Sequence, residues 1–136
     1  MANAIYPLAR QKFLEGLLDW AHDDIKACLV NTALYTYNGT HEFMDAVAAS
    51  PDPRVGTDQL LSGKSTTGGT ADAADITFPA VVGGTVSAVI IYKSTGALST
   101  SVPIAYIDDV TGLPITPTGV DITVVWSDDA NKIFTL

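Results

Sequence analysis

Two histidines, one cysteine and fifteen carboxylates are the residues of this 136-residue chain that could do acid–base, nucleophilic or metal chemistry. Their spacing favours none of these. His22 and His41 lie nineteen positions apart, and no Cys or His ligand pattern of a zinc site surrounds either. Cys28 lies within the apolar run Ala27-Cys28-Leu29-Val30, with Lys26 as its nearest cation, and there it reads as a small core hydrophobe. The acids are 13 Asp and 2 Glu, and Asp23-Asp24, Asp108-Asp109 and Asp128-Asp129 form adjacent pairs. A calcium loop needs oxygen ligands at every second position and a Gly at its sharp turn, a form that Asp128-Asp129-Ala130-Asn131-Lys132 does not follow. Paired acids at strand ends instead suit turns, where carboxylates accept local backbone N–H groups; a divalent ion, if bound, is expected between subunits. Gly63-Lys64-Ser65 resembles the end of a phosphate loop, but Asp58 stands where that loop's first glycine belongs. No Gly-x-Ser-x-Gly occurs, so no nucleophile is set beside a base. The expectation is a protein that is not an enzyme and holds no cofactor or metal within one chain.

The elements that must position any site are mostly strands. Ala9, Phe13, Leu17 and Trp20 recur at helical spacing, with Leu14, Leu18 and Ala21 beside them. Asn3 as N-cap and Pro7 in the first turn then predict an amphipathic helix over about residues 4–21. After Asp24 the period changes to two. Strands are predicted over 25–37, 75–82, 86–93, 103–108, 121–126 and 132–136, with hairpins at Gly83-Gly84 and at Asp128 to Asn131. Val86, Ala88, Ile90 and Tyr92 would share a buried face, as would Ile122, Val124 and Trp126. Residues 38–74 read as a long surface excursion, with a short helix capped by Thr40 and an edge strand from Arg54 to Leu61. The fold class expected is mainly β, of the α+β kind: an N-terminal helix packed on an antiparallel β-sandwich or partly closed barrel. It would form a single domain over 1–136, with 1–23 as N-terminal arm and helix and 24–136 as β domain.

Composition narrows the partners. With 47% hydrophobic and 16% charged residues and a mean hydropathy of +0.26, the chain can bury roughly two thirds of its unfolded surface. No apolar run approaches the roughly 18 residues of a membrane span, and Met1 to Tyr6 carry no secretory-signal pattern. Seven Lys and Arg against fifteen acids leave a net charge of −8, which repels phosphate backbones. Neither nucleic acid nor membrane is an expected partner. One cysteine cannot form an intrachain disulfide, so stability must come from packing or from neighbouring subunits.

From Asp24 onward the order of segments resembles a family of small virion structural proteins of tailed bacteriophages. The resemblance is carried by Asp24-Ile25-Lys26-Ala27-Cys28-Leu29-Val30-Asn31-Thr32, Tyr35-Thr36, Thr40-His41-Glu42-Phe43 and Ala71-Asp72-Ala73-Ala74-Asp75-Ile76-Thr77-Phe78. It continues through Ile90-Ile91-Tyr92-Lys93, Ile104-Ala105-Tyr106-Ile107-Asp108, Thr111-Gly112-Leu113-Pro114, Asp121-Ile122-Thr123-Val124 and Asn131-Lys132-Ile133-Phe134. The resemblance implies a structural role in the particle, on the capsid exterior after synthesis in the host cytoplasm. The preferred form is a decoration or cement protein on the major capsid protein, as a homo-oligomer with a trimer favoured. A tail or head-fibre module binding a host receptor or glycan is the alternative; it would need exposed aromatic platforms, whereas Trp20, Tyr92, Tyr106 and Trp126 fall in patterned, core-like positions. The expected contact residues are Ile5, Tyr6 and Arg10 at the start, and Thr40, His41, Glu42, Phe43 and Arg54 in the excursion.

Overall fold

A computed structural model describes residues 3–110, 112–128, 130 and 132–136. Its centre is a five-stranded antiparallel sheet in the order β1-β7-β6-β2-β3, where β1 is Ala4–Ile5, β2 Ile25–Val30, β3 Arg54–Leu60, β6 Ala88–Lys93 and β7 Val102–Ile107. The mainly β character read from the sequence is present. The three inner strands are buried almost throughout, on both faces. This corrects the half-buried alternation expected for 86–93, because Val89 and Ile91 are as buried as Ala88 and Ile90. A strand covered on both sides reads as a continuous apolar run, and such a run does not disclose its two faces.

A second set of pairings joins two stretches distant in sequence. Residues 70–86 run antiparallel to 115–135 through β4 (Thr70–Ala71) on β9 (Phe134–Thr135), β5 (Ile76–Phe78) on β8 (Ile122–Val124), and a bridge from Val86 to Ile115. Three threonine pairs cross this interrupted ribbon on its exposed side: Thr70 with Thr135, Thr77 with Thr123 and Thr85 with Thr116. Ile122, Val124 and Trp126 point inward while Thr123 and Ser127 are exposed, as the alternation predicts. On one side β5 touches β3.

Both predicted hairpins are overturned by this pairing. Gly83-Gly84 does not join partners, since β5 bonds β8 while β6 bonds β2 and β7. The two glycines lie instead where the chain passes from one sheet to another. Gly83 has φ +133°, and a Cβ on Gly84 would lie 2.6 Å from Asn31 Nδ2. The last two strands likewise bond β5 and β4, not each other; Asp129 and Asn131 of the predicted connection lie outside the described residues, as does Thr111.

The predicted helix over 4–21 is α1, Pro7–Leu14 only. Pro7 opens it as expected, but Tyr6 is its N-cap and Asn3 is not. Asn3 ties the arm to the end of β7 instead, its Oδ1 accepting the Asp108 N–H and its Nδ2 donating to Asp109. Gly16, at φ +75°, stops the helix: its N–H bonds the Phe13 carbonyl and that of Leu17 bonds Lys12. The apolar stripe therefore splits. Ala9 and Trp20 are buried, whereas Leu14 and Leu17 are 89% and 56% exposed. The excursion is also less superficial than expected. The helix α2 is Met44–Val47, entered through Phe43 and not Thr40, and Met44, Val47, Leu61 and Ala71 belong to the core. The edge strand stands where predicted, as β3.

Candidate functional site

Among the expected contact residues, the structure brings the N-terminal group and the 40–43 group onto one surface. Tyr6 enters from the start of α1 and is fully buried, so it is a core anchor and not a residue a partner could touch. Its hydroxyl lies 2.6 Å from that of Tyr35, which lies 3.1 Å from His41 Nδ1. The arrangement that satisfies every proton has Tyr6 donating to Tyr35 and Tyr35 donating to His41 Nδ1. Tyr37 packs on Tyr6 and Tyr106 with ring centroids 4.9 and 5.6 Å apart, and its hydroxyl reaches the Ile5 carbonyl at 3.5 Å. Outside this aromatic floor, Lys12 Nζ lies 3.0 Å from Glu42 Oε1 and 5.5 Å from the Phe43 ring centre. Asn38 holds the turn by accepting from the N–H and hydroxyl of Thr40. Thr40, Glu42 and Arg10 are exposed; His41 and Phe43 are half-buried.

Next to this surface runs a groove of about 1080 Å³ between the β1–β7 end of the central sheet and the ribbon. Ile5 and Tyr106 line it from the sheet, Trp126 and Phe134 from the ribbon, and Arg10 and Lys132 stand at its rim. Asp109 is held by Asn3, and Asp128 by Lys132 at 3.8 Å.

Arg54 is not part of this surface. It lies on β3, at the opposite edge of the five-stranded sheet from β1. Its guanidinium engages both oxygens of Asp52 at 2.9–3.2 Å and Asp58 at 2.9 Å, while Tyr92 donates its hydroxyl to Asp58. Burial opposes ionisation of Asp52, but the Arg54 hydrogen bonds and charge outweigh it and hold the carboxyl below its ordinary range. This knot ties β3 to the strand two places in, and its cation is already occupied.

The discounted chemistries can be placed too. Cys28 is fully buried on β2, and burial pushes its thiol well up, so a reactive thiolate is disfavoured. His22 pairs with Asp19 in an exposed turn. Among the described residues no group of three or more His, Cys, Asp or Glu could hold a metal ion, and no helix is long and apolar enough to cross a membrane.

No protein-family model matches this chain, and no curated protein does. Sequence reasoning missed Lys12, Tyr35 and Tyr37, which join the two groups. A signal existed for the tyrosines, since Tyr35 and Tyr37 both lie within the stretch just ahead of His41, but period-two reading assigned them to a strand that in fact ends at Val30. Asn31 ends it, its Oδ1 accepting from the Ala33 N–H.

Proposed function

We propose that the chain is a non-enzymatic structural protein of a tailed-bacteriophage virion, a decoration or cement protein bound to the major capsid protein on the outside of the shell. The observation that carries this reading is the joining of two sequence-distant segments into one surface: Lys12 of α1 meets Glu42 and Phe43, and Tyr37 reaches the Ile5 carbonyl and lies within the field of Arg10. A docking surface spread over two segments and braced by a buried aromatic floor suits repeated attachment to a lattice, where many modest contacts add. The acidic body suits solubility before assembly and repels packaged DNA. Arg54 leaves the proposed contact set, because its charge is consumed within the chain.

The architecture belongs to the same proposal: the five-stranded sheet and the ribbon are two layers of a sandwich, closed where β5 meets β3 and open at the groove. A homo-oligomer, with a trimer favoured, would present several such surfaces together. A cryo-electron-microscopy reconstruction of the virion tests the proposal. Density for this domain repeated over the capsid lattice, with the α1 and 40–43 surface against the shell, is expected. Density confined to the tail or the vertices would overturn the decoration role in favour of an attachment module.

A further inference from the structure

The end of the central sheet at the groove is an open strand edge. β1 bonds β7 on one side only. The Tyr6 N–H donates to the Ile104 carbonyl, and bonding direction alternates along a strand, so Ile5 turns its own N–H and carbonyl away from β7. Tyr37 reaches that carbonyl, whereas the Ile5 N–H has no partner among the described residues. A half-buried, unbonded backbone donor beside a groove is where an added strand would begin. The rim supplies the second recognition element. The Arg10 guanidinium makes no hydrogen bond or ion pair with any described residue, its charge acting on the nearby Tyr37 hydroxyl alone, while Lys132 has Asp128 and Lys12 has Glu42. Of the charged side chains described along the groove, Lys132 pairs with Asp128 and Asp109 accepts from Asn3, which leaves the Arg10 guanidinium to take an anion from outside.

We propose that this groove takes an extended acidic polypeptide segment of a partner protein, which adds as a strand along β1 and sets a carboxylate on Arg10. Backbone pairing at the edge would give affinity, the exposed Val125 on the ribbon wall would meet side chains of one parity, and Arg10 would select charge. A nucleic acid would bring phosphates at every step against Asp109 and Asp128 as well, whereas a single carboxylate can be confined to Arg10. A glycan would want an exposed aromatic platform, but Trp126 is only 5% exposed. The inference rests on the reading of this protein as one that docks on a larger assembly, and it names the chemistry of what is docked.

The test is selection of nine-residue peptides from a randomised library on the full chain, followed by binding of synthetic versions to the chain and its variants. Selected peptides are expected to carry Asp or Glu at one position, with β-branched residues alternating around it. Arg10→Ala should weaken them about tenfold or more. Selection on Arg10→Glu should exchange the acid for Lys or Arg, and proline in the peptide should abolish binding. Amide shifts should centre on Ala4, Ile5 and Trp126, and Lys26→Ala, on a different part of the sheet, should change nothing. Failure to select any peptide, peptides with no acidic preference, or binding indifferent to Arg10 or to proline would overturn the proposal. Because the virion reconstruction reads only where the protein sits, a lattice-bound protein whose groove selects nothing would defeat the inference while leaving the decoration role standing.

Discussion

Tyr35 is the residue on which the 38–43 turn depends, because its hydroxyl is bonded to a fully buried one on one side and to His41 on the other. The unequal cost of hydrogen-bond loss makes a prediction here. Tyr35→Phe leaves the Tyr6 hydroxyl buried without an acceptor and should destabilise the protein by about 1–3 kcal/mol. Tyr6→Phe removes one bond but leaves Tyr35 donating to His41, so its cost should be smaller, about 0.5–1.5 kcal/mol. The double Phe variant should cost less than the sum of the two. Urea melts of the four proteins check this order, and a Tyr6→Phe loss larger than that of Tyr35→Phe would mean that the protons run the other way.

At the scale of elements, the β3 edge is held by a kink as much as by its ladder. The register with β2 slips between Ala27 and Leu29, and Gly56 sits in that slip at φ +75° with the Val81 side chain 3.4 Å from where its Cβ would be. Gly56→Ala should therefore cost about 1–2 kcal/mol, the ordinary penalty for a left-handed L-residue. Leu14→Gln and Leu17→Gln, by contrast, should stay within about 0.5 kcal/mol of the parent, although the sequence places Leu17 in the apolar stripe and Leu14 beside it. Thermal melts of the three variants decide both statements. These cases also show what the sequence discloses. The inner strands were legible because continuous β-branched runs such as Val89-Ile90-Ile91 have few other uses in a small β protein. The pairings of the ribbon were not, because β4, β5, β8 and β9 are two or three residues long and find each other across more than forty positions. Asn3 could cap a helix or bridge to a strand, and only the nearness of Asp108 and Asp109 chooses the bridge. For the site, the residue types at 5, 10 and 40–43 were readable as surface-competent, but their union required Lys12 and the aromatic floor. Arg54 is equally surface-competent by residue type, but Asp52 and Asp58 close on it.

At the scale of the whole molecule, the tyrosines make stability depend on alkali. All five have hydroxyls pushed up in the folded state, with burial as the leading cause in each, and Tyr6 and Tyr92 are pushed furthest because each also donates a hydrogen bond to a side-chain oxygen, of Tyr35 and Asp58 respectively. In the unfolded chain they ionise near pH 10. Above that pH the unfolded state gives up protons that the folded state keeps, so their stabilisation is complete below about pH 10 and is lost as the pH rises. Counting Tyr6 and Tyr92 alone, the slope is about 2.7 kcal/mol per pH unit, and a stability of about 5–10 kcal/mol is then consumed within a few units. Buried Cys28 acts in the same direction and begins earlier, since its ordinary thiol value is lower. Tyrosinate absorbance and far-ultraviolet circular dichroism followed together against pH should therefore change in one cooperative step above pH 10. Tyrosines titrating one by one at ordinary values while the dichroism stays native would mean that the aromatic floor opens locally, and the surface formed by α1 and residues 40–43 would then be too loose to serve as a rigid docking face.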